Sequence, residues 1–194
     1  GSEMCIRDRL NYFNRPYFEN GAIKKICEVL KLNEINKPLI CSDPGLSSIG
    51  MIDKIVDLMS DNFSSSQYSE TPANPTENAV YEALKIYKEN NCDGVIGFGG
   101  GSSIVLAKAV ALMANHDGSL LDYSVSEGGY GKINETIPMI AIPTTSGTGS
   151  EVSVGSLITM NDGRKLIFAS PHLMPNAAIC DPELTIGLPP ILTC

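Results

Sequence analysis

The chain has 194 residues, 14 Lys and Arg against 22 Asp and Glu for a formal net charge of −8, and 43% hydrophobic residues at a mean hydropathy of +0.03. That is a globular composition, which excludes a disordered or collagen-like chain, and the lack of any apolar run of about 18 residues excludes a transmembrane helix. The acid excess argues against a nucleic-acid surface, which needs a clustered basic footprint.

Residues 1–9, GSEMCIRDR, open like an expression-vector scar and read as a tag or unrelated leader. Residues 10–187 read as one α/β domain. Its first strand is predicted at residues 37–42, a short apolar run closed by the turn residues Asp43, Pro44 and Gly45. Ile49, Ile52, Ile55, Val56 and Met59 then recur at three- and four-residue spacing, the stripe of an amphipathic helix. Residues 61–76 are polar, with a short edge-like strand over 63–68. Thr76 suits the N-cap of a helix reaching about Asn90, since its hydroxyl can accept a free N–H of the first turn.

A strand over 94–98 leads into Gly99, Gly100, Gly101 and Ser102, and a helix with small residues follows over 104–114. Another strand covers 138–142. Runs at 152–160 and 164–169 flank Asn161, Asp162 and Gly163 as a hairpin, and 177–180 is the last strand. Alternating strands and helices argue a parallel, Rossmann-like sheet flanked by helices, with right-handed crossovers. Residues 188–194 read as the entry to a second, helical domain that the sequence does not contain.

The six cysteines, Cys5, Cys27, Cys41, Cys92, Cys180 and Cys194, include no CxxC pair, and no signal-peptide pattern precedes them. Reduced thiols in a cytoplasmic protein are the expectation, most of them small core hydrophobes.

Glycines between a strand and a helix let backbone approach a bulky anion, and the free N–H groups at the helix start point at it with the dipole behind them. A diphosphate suits that place; a tight turn is the other reading. The GxGxxG fingerprint is nearly met, with Gly97 and Gly99 followed by Ser102 where the third glycine would stand. A second loop, TTSGTGSE at 144–151, also follows a strand, and its hydroxyls and amides suit phosphate, ribose or carboxamide, or else merely close local turns. Both loops lie at carboxyl ends of strands, where α/β folds bind ligands. Asp43 ends the first strand, where an acid accepts from a ribose 2′-OH; an ordinary turn residue is the equal alternative.

These strings, with Lys108, with DPELT at 181–185 and with LPP at 188–190, resemble the iron-containing (group III) alcohol dehydrogenase family, over about residues 38–194. The resemblance implies an N-terminal dinucleotide-binding α/β domain followed by an all-helical metal-binding domain. It implies hydride transfer between a small alcohol and an aldehyde or ketone, with NAD favoured over NADP. Gly100, Gly101 and Ser102 would hold the pyrophosphate, and Asp43 would contact the adenosine ribose and repel a 2′-phosphate. Asn74 would touch the cofactor, Thr144, Thr145 and Thr148 would line the ribose and nicotinamide end, Lys165 would reach the ribose, and Leu184 and Thr185 would flank the adenine side.

Two departures stand out. Where the family often carries GGGSxxD, this chain has Val105, which leaves substrate polarity open; maleylacetate reductases share that lack, although their second loop differs. The family's iron or other divalent metal is held by an Asp and three His, the first two ligands on the helix after LPPxLT, past Cys194. Only His116 and His172 are present, at positions matching no ligand. His116 reads as a helix C-terminal dipole partner, and His172 as a loop residue near the cofactor. No metal ligand and no catalytic residue is assigned. A maleylacetate-reductase-like oxidoreductase, a non-catalytic nucleotide-binding module and a lyase related to dehydroquinate synthase are the alternatives, the TTSGTGSE string arguing against the lyase. A homo-oligomer covering apolar surface is a further expectation, with neither nucleic acid nor membrane as partner.

Overall fold

Strand formation follows where apolar runs are buried on both faces, and four of the eight strands among the described residues are of that kind. The computed structural model describes residues 14–59 and 61–187. In chain order these form β1 (Arg15–Phe18), α1 (Ile26–Leu32), β2 (Pro38–Cys41), α2 (Pro44–Ser48), α3 (Met51–Met59), β3 (Ser66–Tyr68), α4 (Glu77–Glu89), β4 (Gly94–Gly99), α5 (Gly101–Ala114), β5 (Met139–Pro143), β6 (Gly155–Thr159), β7 (Lys165–Ala169) and β8 (Ala177–Cys180). Six strands make one parallel sheet in the order β1-β8-β5-β4-β2-β3, and β6 and β7 form a separate antiparallel hairpin. The expected parallel sheet with flanking helices and a hairpin is thus present.

Alternate residues of each strand serve opposite layers, as the two-residue period demands. Ile40, Ile96, Phe98, Ile140 and Ile142 pack with Ile26 and Leu30 of α1 and Ile52, Ile55 and Met59 of α3. Leu39, Cys41, Val95, Met139 and Ala141 face the other way, toward α4, α5 and the inner side of the hairpin at Ile158 and Phe168. Helix α5 is buried along most of its length, between the sheet and the hairpin; an all-round apolar helix belongs in such an interior position.

Several boundaries differ from expectation for physical reasons. Asp43, Pro44 and Gly45 are not a turn: Asp43 is the N-cap of α2, its side chain accepting from Leu46 N–H at 3.1 Å, with Pro44 in the first helical turn. The helical stripe begins two residues late, because the chain turns at Gly50 with φ +70° and Ile49 falls outside the helix, 63% exposed. The N-cap at Thr76 is as expected, accepting from Ala79 N–H at 3.3 Å. Residues 150–152 form a 3₁₀ turn, so β6 starts later than the predicted run. Reversal at the hairpin takes residues 161–163, with Gly163 N–H donating to Met160 O and Met160 N–H to Arg164 O. Residues 10–36 carry no predicted element, yet β1 pairs with β8 at the sheet edge and α1 covers the sheet.

Residues 1–9, expected as a tag or leader, and the segment 188–194 lie outside the described residues, as do Cys5 and Cys194. Cys41 and Cys92 are buried and Cys27 and Cys180 half-buried, all four as free thiols; burial raises the thiol of Cys41 well above its ordinary value. No helix among the described residues is long and apolar enough to cross a membrane.

Candidate functional site

Strands β2 and β4 lie side by side, with Cys41 opposite Gly97, but the chain leaves them in opposite directions. After β2 it enters α2 and α3 on one face of the sheet, and after β4 it enters α5 on the other. Such a divergence opens a crevice at the carboxyl ends of the strands.

Gly99 ends β4 with φ +140°, a region side chains rarely adopt, and a Cβ there would stand 2.7 Å from Ser103 Oγ and 3.1 Å from an Asp43 carboxylate oxygen. Gly100 follows as the N-cap of α5, and no side chain caps it among the described residues. The first amides of α5 are therefore left for a ligand at the positive end of the helix dipole.

A cavity of about 710 Å³ fills the crevice. Of the sequence-predicted residues, Asp43, Gly100, Thr144, Thr145 and Leu184 line it. Thr144 is nearly fully buried, and its N–H donates to Gly99 O at 3.0 Å, joining the two glycine loops. The Thr145 hydroxyl is buried and has no hydrogen-bond partner among the described residues. A buried hydroxyl without a partner is a costly arrangement in a dry protein and a normal one where a polar ligand sits.

The remaining predicted residues gather on the hairpin side of the same helix start. Ser102 Oγ donates to Ala73 O at 2.6 Å, which ties the Asn74 loop to α5. Lys165 Nζ, at the start of β7, donates to Asn74 Oδ1 at 2.8 Å. A Cβ on Gly101 would stand 3.2 Å from both Thr148 Cγ2 and Ser150 Oγ, so a side chain there would require the loop to give by a few tenths of an ångström. Thr185 stands apart: its hydroxyl donates to Pro182 O at 2.8 Å, and it lines a neighbouring cavity of about 280 Å³ that shares Thr145 with the first.

Leu46, Ile49, Met51, Lys54 and Glu183 also line the main cavity, and none of them is among the sequence-predicted site residues. Ile49 had been assigned to the core stripe. Met51 and Lys54, three apart on α3, turn to the cavity while Ile52 and Ile55 turn to the sheet, a split that helical spacing alone can suggest but not orient.

Neither histidine is near this site. His116 Nδ1 donates to Leu112 O at 2.8 Å, in the last turn of α5, while Nε2 accepts from Asn134 N–H at 3.0 Å; it serves the helix end as expected. His172 is exposed, its carbonyl accepting from Thr136 Oγ1. Those two segments precede strands β5 and β8, which puts His172 at the amino ends of the strands, opposite the crevice, and corrects its expected place near the cofactor. Among the described residues no three His, Cys, Asp or Glu side chains gather as a metal-ligand set.

Comparison with known proteins gives a consistent result. The family model for iron-containing alcohol dehydrogenase matches residues 14–182. The 4-hydroxybutyrate dehydrogenase of Cupriavidus necator is 44% identical over 183 residues, covering 94% of this chain and 48% of that protein. A solved structure of a 1,3-propanediol oxidoreductase superposes with TM-score 0.89 at 29% identity, covering 96% of this chain and 49% of that one. The sulfoacetaldehyde reductase of Bifidobacterium kashiwanohense, solved in complex with NAD+, superposes with TM-score 0.84 at 31% identity over 92% of this chain and 47% of that one. The chain spans about half the length of the curated relatives it matches.

Proposed function

The chain belongs to the iron-containing alcohol dehydrogenase family, and from that premise we propose that it forms the NAD-binding portion of a dehydrogenase that oxidises a small alcohol to an aldehyde or ketone. The observation that carries this reading is the cavity at the ends of β2 and β4, where an uncapped helix start, Gly99 and Gly100, and a partnerless Thr145 hydroxyl converge. Amides at the start of α5 donate to the diphosphate oxygens. The Asp43 carboxylate, one oxygen of which caps α2, accepts from the adenosine ribose and repels a 2′-phosphate, favouring NAD over NADP.

Leu46, Met51 and Leu184 wall the adenine end. On the hairpin side, Thr148 and the Lys165–Asn74 pair stand toward the ribose and nicotinamide. When bound, NAD supplies the hydride acceptor; the residues of this chain bind and orient it. The family's metal finds no donor set among the described residues, so binding it is not assigned to them.

Thermal unfolding with added NAD tests the reading. Free NAD at about one hundred times its Kd stabilises a binding fold by roughly 2.7 kcal/mol, a rise in Tm of about 5–10 °C at this chain length. An unfolding temperature indifferent to NAD, NADP and ADP-ribose alike overturns it.

A further inference from the structure

Lys108 has no place in the cavity, yet it is a fully buried cation in the middle of α5. Its Nζ donates to Ser153 O at 2.6 Å, Ser153 Oγ at 2.8 Å and Gly155 O at 3.2 Å. An ammonium in an apolar interior is costly unless its donors are satisfied, and here three acceptors on one short segment satisfy them. Burial pushes this amine down to about 8, opposed by the nearby Glu151 carboxylate.

Gly101, Val105 and Lys108 occupy one face of α5 at helical spacing. Along that face three contacts join the helix to the segment following the second glycine loop. Gly101 lies beneath Thr148 and Ser150. Val105 O accepts from Ser156 Oγ at 3.0 Å. Lys108 then fastens residues 153 and 155, and Ser153 Oγ also contacts Ser150 O at 3.4 Å. The loop that closes over the helix start is thus held through a side chain two turns away.

Resting on the nucleotide-site reading above, we propose that Lys108 is a positioning residue for dinucleotide binding, clamping residues 150–155 to α5 and so holding Thr148 and Ser150 over the diphosphate cradle. Among the described residues, the hydrogen bonds of Lys108 Nζ and Ser153 Oγ go to residues 150–155 and not to Asp43, α2, α3 or Leu184, which build the adenosine end of the site. The proposal therefore separates the two halves of the ligand.

Calorimetric titration of the chain with NAD and with adenosine tests it, at a temperature well below unfolding. Lys108→Met is expected to weaken NAD about tenfold, the equivalent of one well-placed hydrogen bond, with adenosine affinity unchanged. Ser153→Ala, which keeps the amine and removes one acceptor, is expected to weaken NAD by a smaller factor in the same pattern. It also serves if Lys108→Met does not fold, and amide exchange over residues 148–155 is expected to quicken in it. Equal weakening of both ligands, unchanged NAD affinity, or unchanged exchange in the loop overturns the clamp. A wild-type chain that binds no NAD overturns the nucleotide-site reading instead, and amide exchange still decides the clamp.

Discussion

A carboxylate oxygen of Asp43 lies 3.1 Å from the place a Cβ on Gly99 would occupy. The acid that ends β2 and the glycine that ends β4 meet because the two strands are neighbours in register, and each limits what the other position accepts. A side chain at 99 would displace the carboxylate and also adopt φ +140°. Gly99→Ala is expected to destabilise the fold by about 1–3 kcal/mol and to weaken NAD. Denaturant midpoints within error of wild type would refute the strain.

Asp43 has two separable duties. Asp43→Ala loses the cap on Leu46 N–H, a cost of about 1 kcal/mol, together with the negative charge. Asp43→Asn keeps an acceptor for the cap and removes only the charge, so it should retain near wild-type stability while narrowing the preference for NAD over NADP. An Asn variant with the wild-type ratio of NAD to NADP affinities would leave Asp43 a helix cap and nothing more.

Lys108 gives a pH signature. Its amine falls from an ordinary 10.5 to about 8 in the folded chain, so between those values the unfolded chain holds a proton that the folded chain has released. Stability from this group therefore rises with pH across that window and is flat below it. Raised thiols and phenols, such as Cys180 and Tyr87, act in the opposite direction at alkaline pH. The difference in unfolding free energy between wild type and Lys108→Met isolates the amine, and should grow in favour of wild type from pH 8 to pH 10. A difference independent of pH would contradict the burial of a titrating charge.

Asp181 joins the two ends of the described chain. It is 2% exposed and accepts from Gly21 N–H at 3.0 Å, Ile23 N–H at 3.1 Å and Glu183 N–H at 3.0 Å. It thereby fixes the turn that brings Leu184 to the cavity. Asp181→Ala strands three backbone donors and is expected to cost about 2–4 kcal/mol, with Asp181→Asn intermediate because one oxygen remains. Chemical denaturation ranks the three proteins, and equal midpoints would show the donors find water.

Much of the site was legible because its signals are local. Glycines between β4 and α5 are required by backbone geometry within a few residues. The Thr76 cap and the hairpin turn likewise depend on their neighbours in sequence. Strand β1 was not legible: Arg15, Pro16 and Phe18 are exposed, so no apolar alternation marks it, and only pairing with β8 makes it a strand. Helix α1 carries a readable helical spacing at Ile26, Val29 and Leu30, although no predicted element covers it.

The sequence by itself determined the strand and helix alternation, the two glycine loops and the family resemblance, since periodicity and turn chemistry are properties of short segments. Only the tertiary structure decided what those segments face. It turned Met51 and Lys54 into the cavity and moved Ile49 out of the core. It left the Thr145 hydroxyl without a hydrogen-bond partner among the described residues and sent Lys108 to the carbonyls of Ser153 and Gly155. Burial and hydrogen bonding between distant segments depend on how layers stack around the sheet, and no local pattern encodes that.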